Sequence, residues 1–392
     1  MLTALPDPVP GTVRRTLSLE VTPDPEWSEG LRITATGRDA LIGAVAPAPV
    51  GSAPVSATSA AFTASADDNS KLPRAVTMSV AIDAKSRITA IEADLPVALT
   101  RSLTASLIGA GAVGGFRARL AALGEADGQD GPDPSSLDPL LDLMSLESAV
   151  LDELPTVRLI SGYARMMEVP PSATFPPGSR SPMVGVCAGW APGATADTKV
   201  LAGTSLLTGT PPAAAIEALT PYFHAERAIR PRSMRRRRVL DVTLREGRYE
   251  IFEYFRDSHV DRELREGALH EYIVRASAAA SVAAPVVATG ATPDVADDDL
   301  TLERIEVEPL SLPFAECPLA APNAVDLEGV PLRGISGTVK GRLTGTRSCT
   351  HLNDTLRFLR YAPALAASIP REDGTAFPRP GTGFPHSGEE DS

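Results

Sequence analysis

Short runs of alternating apolar and polar residues recur along the chain, and they recur twice in the same order. Arg14-Arg15-Thr16-Leu17-Ser18-Leu19-Glu20-Val21 and Arg237-Arg238-Val239-Leu240-Asp241-Val242-Thr243-Leu244 each set a basic pair ahead of a period-two run. That period turns one face of a strand to a core and leaves the other polar. A turn follows each, Ser28-Glu29-Gly30 and Glu246-Gly247. Each then returns as a second run, Leu31-Arg32-Ile33-Thr34-Ala35 and Tyr249-Glu250-Ile251-Phe252-Glu253. Thr77 to Ile82 parallels Glu271 to Ala276 as a third strand, and Arg87 to Glu92 parallels Leu302 to Val307 as a fourth. A glycine-rich stretch then leads to a basic amphipathic piece, Gly111 to Leu120 in one series and Gly334 to Leu343 in the other. Five elements in one order predict an α+β protein built from two diverged copies of an antiparallel β-meander with C-terminal helices.

The copies divide the chain. Residues 1–124 form the first, 125–233 a helix and an irregular Pro/Gly-rich connection, 234–368 the second, and 369–392 a disordered tail. Ala44 to Ser70 reads as an inserted loop and Glu125 to Ser136 as a linker. Leu137 to Met167 carries helical apolar spacing at Leu140, Leu141, Leu143, Met144, Leu146, Val150 and Leu151. Pro170 to Pro231 is punctuated by Pro and Gly and contains Val186-Cys187-Ala188-Gly189-Trp190. The tail has no apolar period and ends Glu-Glu-Asp-Ser.

Composition narrows the classes. Hydrophobic residues are 43% of 392, but aromatics only 5%, so the cores rest on aliphatic side chains. A net charge of −12 argues against a nucleic-acid partner, which needs a positive field. Arg235 to Arg238 therefore reads as a solvated lead-in to a strand rather than an anion patch. Three cysteines are too few for a disulfide framework and suggest a reducing, cytoplasmic setting. The start, Met1 to Pro10, lacks the pattern of a signal peptide, and no stretch reads as a membrane span. A small-molecule ligand remains open, as does the oligomeric state.

The reactive residues are unevenly placed. Residues 12–124 contain no Cys and no His, and the position there that answers to His270 is Val76. The second copy holds His259, His270, His351, Cys317 and Cys349. His270 begins the third strand and Cys317 follows the fourth, so an antiparallel hairpin brings both to one edge. Cys349 and His351 open a helix after Thr344-Gly345-Thr346-Arg347-Ser348, where the helix dipole lowers a thiol's pKa.

Three readings follow. In the first, His270, Cys317, Cys349 and His351 hold a metal, zinc before iron or an iron–sulfur cluster. In the second, Cys349 is a nucleophile with His351 or His270 as base and Glu271 or Asp257 orienting it, in lyase or hydrolase chemistry on a small carboxylate or acyl substrate. In the third, the chain is a non-catalytic accessory or assembly protein. Cys187 reads as packing, and His224 and His386 receive no role. Gly109-Ala110-Gly111-Ala112-Val113-Gly114 has a GxGxxG spacing but follows a probable helix instead of a strand, so it is not read as a phosphate loop.

Ser348-Cys349-Thr350-His351-Leu352, His270-Glu271 and Pro313-Phe314-Ala315-Glu316-Cys317-Pro318 together resemble a bacterial family known as domain of unknown function 2889, whose signature is Gly-Cys-Thr-His-Leu before a helix. The resemblance covers about Met234 to Ala362. The first copy with the Cys-Ala-Gly-Trp connection looks like a longer, duplicated actinobacterial form. Ser348 departs from the usual Gly, and Ser277 to Asp299 is a long insertion. The order of hairpin, Cys and late Cys/His pair is also similar to iron–sulfur cluster scaffolds of the NifU and SufE type. There a Cys stands where His270 is and the late pair is His-Cys, and these departures favour zinc or a mononuclear site. The family implies no activity.

Overall fold

A computed structural model describes residues 4–43, 72–125, 142–168, 178, 180–206, 210–220, 222–281 and 299–370. The loop expected at Ala44 to Ser70, most of the linker before Ser136 and the tail lie outside the described residues, as does His386.

The alternating runs become eight strands, longer than their sequence cores. They are β1 (Val13–Pro23), β2 (Gly30–Leu41), β3 (Arg74–Asp83), β4 (Ile88–Ala93), β5 (Ser233–Arg245), β6 (Arg248–Val260), β7 (Glu266–Ala280) and β8 (Leu300–Ser311). All pair antiparallel in one sheet of order β4-β3-β2-β1-β5-β6-β7-β8. The β5–β6 turn is two residues, Glu246 and Gly247, both with positive φ, which matches the twist of a tight hairpin. The two meanders are not separate in space. They meet where β1 pairs with β5, from Val13↔Val242 to Val21↔Met234.

Helices pack against this sheet, mostly on one face. They are α1 (Val97–Leu107), α2 (Phe116–Glu125), α3 (Leu146–Glu168), α4 (Thr195–Leu201), α5 (Ile216–Leu219), α6 (Ile335–Arg342), α7 (Thr350–Phe358) and α8 (Ala362–Ala366), of which α5 lies on the other face. The helix α3 crosses β1, β2, β3, β5 and β6. It reaches β2 closely at Gly37, where a Cβ would stand 2.9 Å from Leu146 Cδ1, Leu17 Cδ2 and Val150 Cγ2. Gly37→Val is therefore expected to destabilise the chain by about 1–3 kcal/mol in urea unfolding, through overpacking. An unchanged midpoint would show that α3 gives way freely.

Leu5, Ile216, Leu219 and Phe223 cover the opposite face over Val239, Tyr254 and Ile273. The central strands are thus buried on both sides, and this corrects the reading of Arg235 to Arg238. The run is not a solvated lead-in. Its alternation sends Arg236 and Arg238 to the helical face and Arg235 and Arg237 to the other, and none is more than 4% exposed. Each side supplies carboxylates. Arg236 meets Asp257, Glu153 and Asp354, and Arg238 meets Glu253 and Glu153. Arg235 meets Glu226 and Glu266, and Arg237 meets Glu226. Buried guanidinium groups persist only with such partners.

Candidate functional site

The site grows from cross-strand neighbours. Asp257 on β6 and His270 on β7 are Cα partners beside a register shift, and both side chains face the helices. Arg236, on the neighbouring strand and opposite Asp257, grips that carboxylate with two 2.8 Å hydrogen bonds, Nε to Oδ1 and Nη2 to Oδ2. Its Nη1 donates to Glu153 at 2.6 Å and Thr156 at 2.8 Å from α3, and to Asp354 at 3.1 Å from α7. One guanidinium thus ties two strands and two helices around the floor of the site. Burial opposes its charge, but Asp257, Glu153 and Asp354 outweigh that cost and hold it protonated.

The first turn of α7 adds His351. Its ring stacks on His270 with centroids 3.4 Å apart and planes 13° from parallel. Tyr163 of α3 meets both rings, edge-on to His270 at 6.0 Å. His351 Nε2 lies 3.9 Å from Asp257 Oδ2. Potential ligand atoms of Asp257, His270 and His351 all lie within 4.8 Å of one another. His270 Nδ1 and His351 Nε2 are buried without a hydrogen-bond partner. Burial, with help from Arg236, holds both imidazoles neutral, His351 down to about 3 and His270 well below its ordinary value. Neutral imidazole keeps the lone pair that ligation and proton transfer both need.

The cysteines stand around this group but outside it. Cys187, Cys317 and Cys349 are all free, buried and on the wall of one cavity of about 910 Å³, which the two histidines also line. Cys349 caps α7, and the hydroxyl of Tyr272 donates to its Sγ at 3.2 Å. The lowered pKa expected there is corrected. Burial pushes the Cys349 thiol up, although Tyr272 and the N–H groups of Leu352 and His351 pull the other way. Burial raises Cys187 and Cys317 as well.

Cys187 packs in the core, and the two residues after it tie the connection down. Ala188 N–H donates to Ser348 O at 2.8 Å, which pins the connection to the turn before α7. Gly189 allows this, since a Cβ there would stand 2.7 Å from Cys317 Sγ.

The expected residues separate as follows. His270 and His351 come together, Cys317 and Cys349 share their cavity, and Asp257 joins the histidines directly. Glu271 is a correction. Strand alternation turns it to the opposite face, where it accepts a short hydrogen bond from Tyr254. His224, given no role, sits between Thr16 Oγ1 at 2.8 Å and Ser18 Oγ at 2.7 Å. Sequence reasoning missed Arg236, Tyr163, Glu153 and Asp354. The His351/Asp354 spacing on α7 and the Thr156/Tyr163 spacing on α3 each place two residues on one helix face, which is the signal that was present.

Residues 234–364 match the family described as Protein of unknown function (DUF2889). Comparison with curated proteins and with solved structures finds no match. The likeness to iron–sulfur scaffolds therefore has no support. No helix among the described residues is long and apolar enough to cross a membrane.

Proposed function

Since residues 234–364 carry the DUF2889 domain, whose description assigns no activity, we propose from the site itself that Asp257, His270 and His351 hold a divalent transition-metal ion. The observation that carries this is the pair of buried imidazole nitrogens without partners, beside a fixed carboxylate. Two nitrogens and one oxygen suit zinc at a site with an open position, and the same set suits Fe(II). Arg236 orients the carboxylate, as outer partners of metal ligands do. Parallel rings aim their lone pairs side by side, so binding requires the imidazoles to turn apart.

Cys317 and Cys349, expected as ligands from the sequence, become cavity walls in this reading. Their thiols are raised by burial and lie outside the close group. The same burial weakens the alternative of Cys349 as nucleophile, because its partner is Tyr272 rather than a histidine. A metal held by these three residues beside a cavity that both histidines line would supply Lewis-acid chemistry of the hydrolase or lyase kind. A non-catalytic assembly role would hold the metal and turn over nothing. Three free thiols suit a reducing cytoplasm.

The inference of a duplication gains support from matching ion pairs. Arg15 on β1 grips Asp39 on β2 through two 2.8 Å hydrogen bonds, as Arg236 grips Asp257. The next strand places Arg74 beside Asp39 and His270 beside Asp257. Arg74, rather than Val76, thus answers to His270. It pairs with Glu147 at 3.2 Å, so the first copy closes with an ion pair where the second offers a ligand.

The test is elemental analysis of untagged protein with His270→Ala and His351→Ala. Near-stoichiometric metal in the wild type and its loss from each variant is the expected result. Cobalt-loaded protein should lack a thiolate charge-transfer band, and Cys317→Ala and Cys349→Ala should keep the metal. Full retention by both folded histidine variants sinks the proposal.

A further inference from the structure

We propose that the cavity above the histidine pair binds a monocarboxylate with an extended apolar body. The inference goes beyond the metal and stands whether or not one is bound. Its volume of about 910 Å³ lies in the range of small-molecule sites, roughly 300–1,000 Å³. Three helices each present one face to it. Thr156, Leu159, Ile160 and Tyr163 come from α3, and α6 gives Ser336, Gly337, Val339 and Lys340. From α7 come His351, Asn353, Asp354 and Arg357.

The chemistry of these faces is divided. Leu159, Met183 and Val186 are 59%, 40% and 38% exposed, and all three sit on this one cavity. Large apolar side chains scattered singly on a surface need no explanation, but a group of them around one opening marks a binding site. Deeper in, Trp190 and Phe314 pack edge-to-face at 6.1 Å and line the same space. An alkyl or aryl body fits this wall.

Polar atoms on the same lining lack partners. Ser336 Oγ and Asn353 Oδ1 are buried and unpaired, like the two imidazole nitrogens. Of these the Ser336 hydroxyl can donate to a carboxylate, whereas Asn353 Oδ1 and the imidazole lone pairs are themselves acceptors.

The charge at the rim is positive. Lys340 is exposed, lines the cavity and has no ion-pair partner among the described residues. Arg357 shares only a 3.6 Å contact with Asp354. Asp354 also faces the space, but Arg236 already binds it at 3.1 Å. Arg360, on the same lining, donates to Leu143 O and the Tyr361 hydroxyl and has no ion-pair partner among the described residues, so the lining carries a surplus of positive charge that selects an anionic head group.

Gly337 makes this testable. It lies within α6 on the cavity lining, and a Cβ there meets nothing within 4 Å. A side chain at this point fills the space instead of clashing, and leucine is a better helix former than glycine. Gly337→Leu should therefore fold and should block the cavity.

The experiment measures displacement of a dansyl-labelled fatty acid by decanoate, decyl phosphate and decanol. Wild-type protein should bind decanoate saturably and ahead of the alcohol. Lys340→Glu should weaken decanoate by about tenfold and leave decanol unchanged. Gly337→Leu should lose all three probes while keeping its metal, and Asp257→Asn, whose residue is not on the lining, should lose metal while keeping decanoate. No saturable binding by folded wild type, or wild-type binding by Gly337→Leu, overturns the proposal. Equal binding of decanol and decanoate, unaffected by Lys340→Glu, overturns its anionic half. The metal assay reads separately, so failure of one inference does not mask the other.

Discussion

Arg236→Met should lower the unfolding free energy by about 3–5 kcal/mol, the range seen when one partner of a buried ion pair is removed. The side chain is fully buried and serves Asp257, Glu153 and Asp354 at once. Its guanidinium also lies 4.8 Å over the Phe255 ring. Methionine keeps much of the volume but leaves Asp257, fully buried, without a counter-charge. Urea unfolding at pH 7.5 measures the loss. The double variant Arg236→Met/Asp257→Leu should recover part of it, because the stranded charge is gone. Arg248→Ala is the control. That residue is 65% exposed and 3.7 Å from Glu303, so its loss should stay within about 0.5 kcal/mol. A loss below about 1 kcal/mol for Arg236→Met would mean that the pocket hydrates freely.

Acid should unfold the chain in part through His224. Burial first, then Arg237 and Arg38, press this imidazole down to about 3. The unfolded chain titrates near 6.5, so between those values the unfolded state holds a proton that the folded state refuses. The contribution is therefore complete above about pH 7 and is lost as pH falls. At about 1.4 kcal/mol per unit, it amounts to roughly 2–3 kcal/mol between pH 7 and pH 4.5. His224→Asn is neutral throughout. The wild type's stability relative to that variant should decline over this window, and a pH-independent difference would refute the assignment.

How much of this could be read from the chain depended on distance along it. Strand pairs joined by short turns were legible, since Glu246-Gly247 and the flanking alternation belong to one window. The β1–β5 seam was not, because nothing near Arg14 indicates that Asp241 will bind it at 2.7 Å. The arginine run was misread for the same reason. A polar residue every second position looks solvated until Glu153 and Glu226 arrive from distant segments.

Within the site, His270 and His351 were legible as residues that an antiparallel hairpin and a late helix could bring together. The state of Cys349 was not. A helix N-terminus favours thiolate, but the depth of burial that reverses the sign is a property of the packed fold. Asp257 was visible only as a partner, because its value to the site comes from the β6–β7 register.

The seam between the meanders has one more consequence. Along β5, the backbone groups that face β1 are satisfied only by residues 13–21. A chain holding just residues 234–364 would expose that side as an open edge, with Asp241 deprived of Arg14. Unprotected edges recruit further strands. A one-meander protein of this kind would have to cover β5, and a second copy of itself across a two-fold axis would do so in the same antiparallel sense. Here one polypeptide supplies both sides. With residues 13–21 in place β5 is an interior strand instead of an edge, so its backbone offers no template for pairing with another chain.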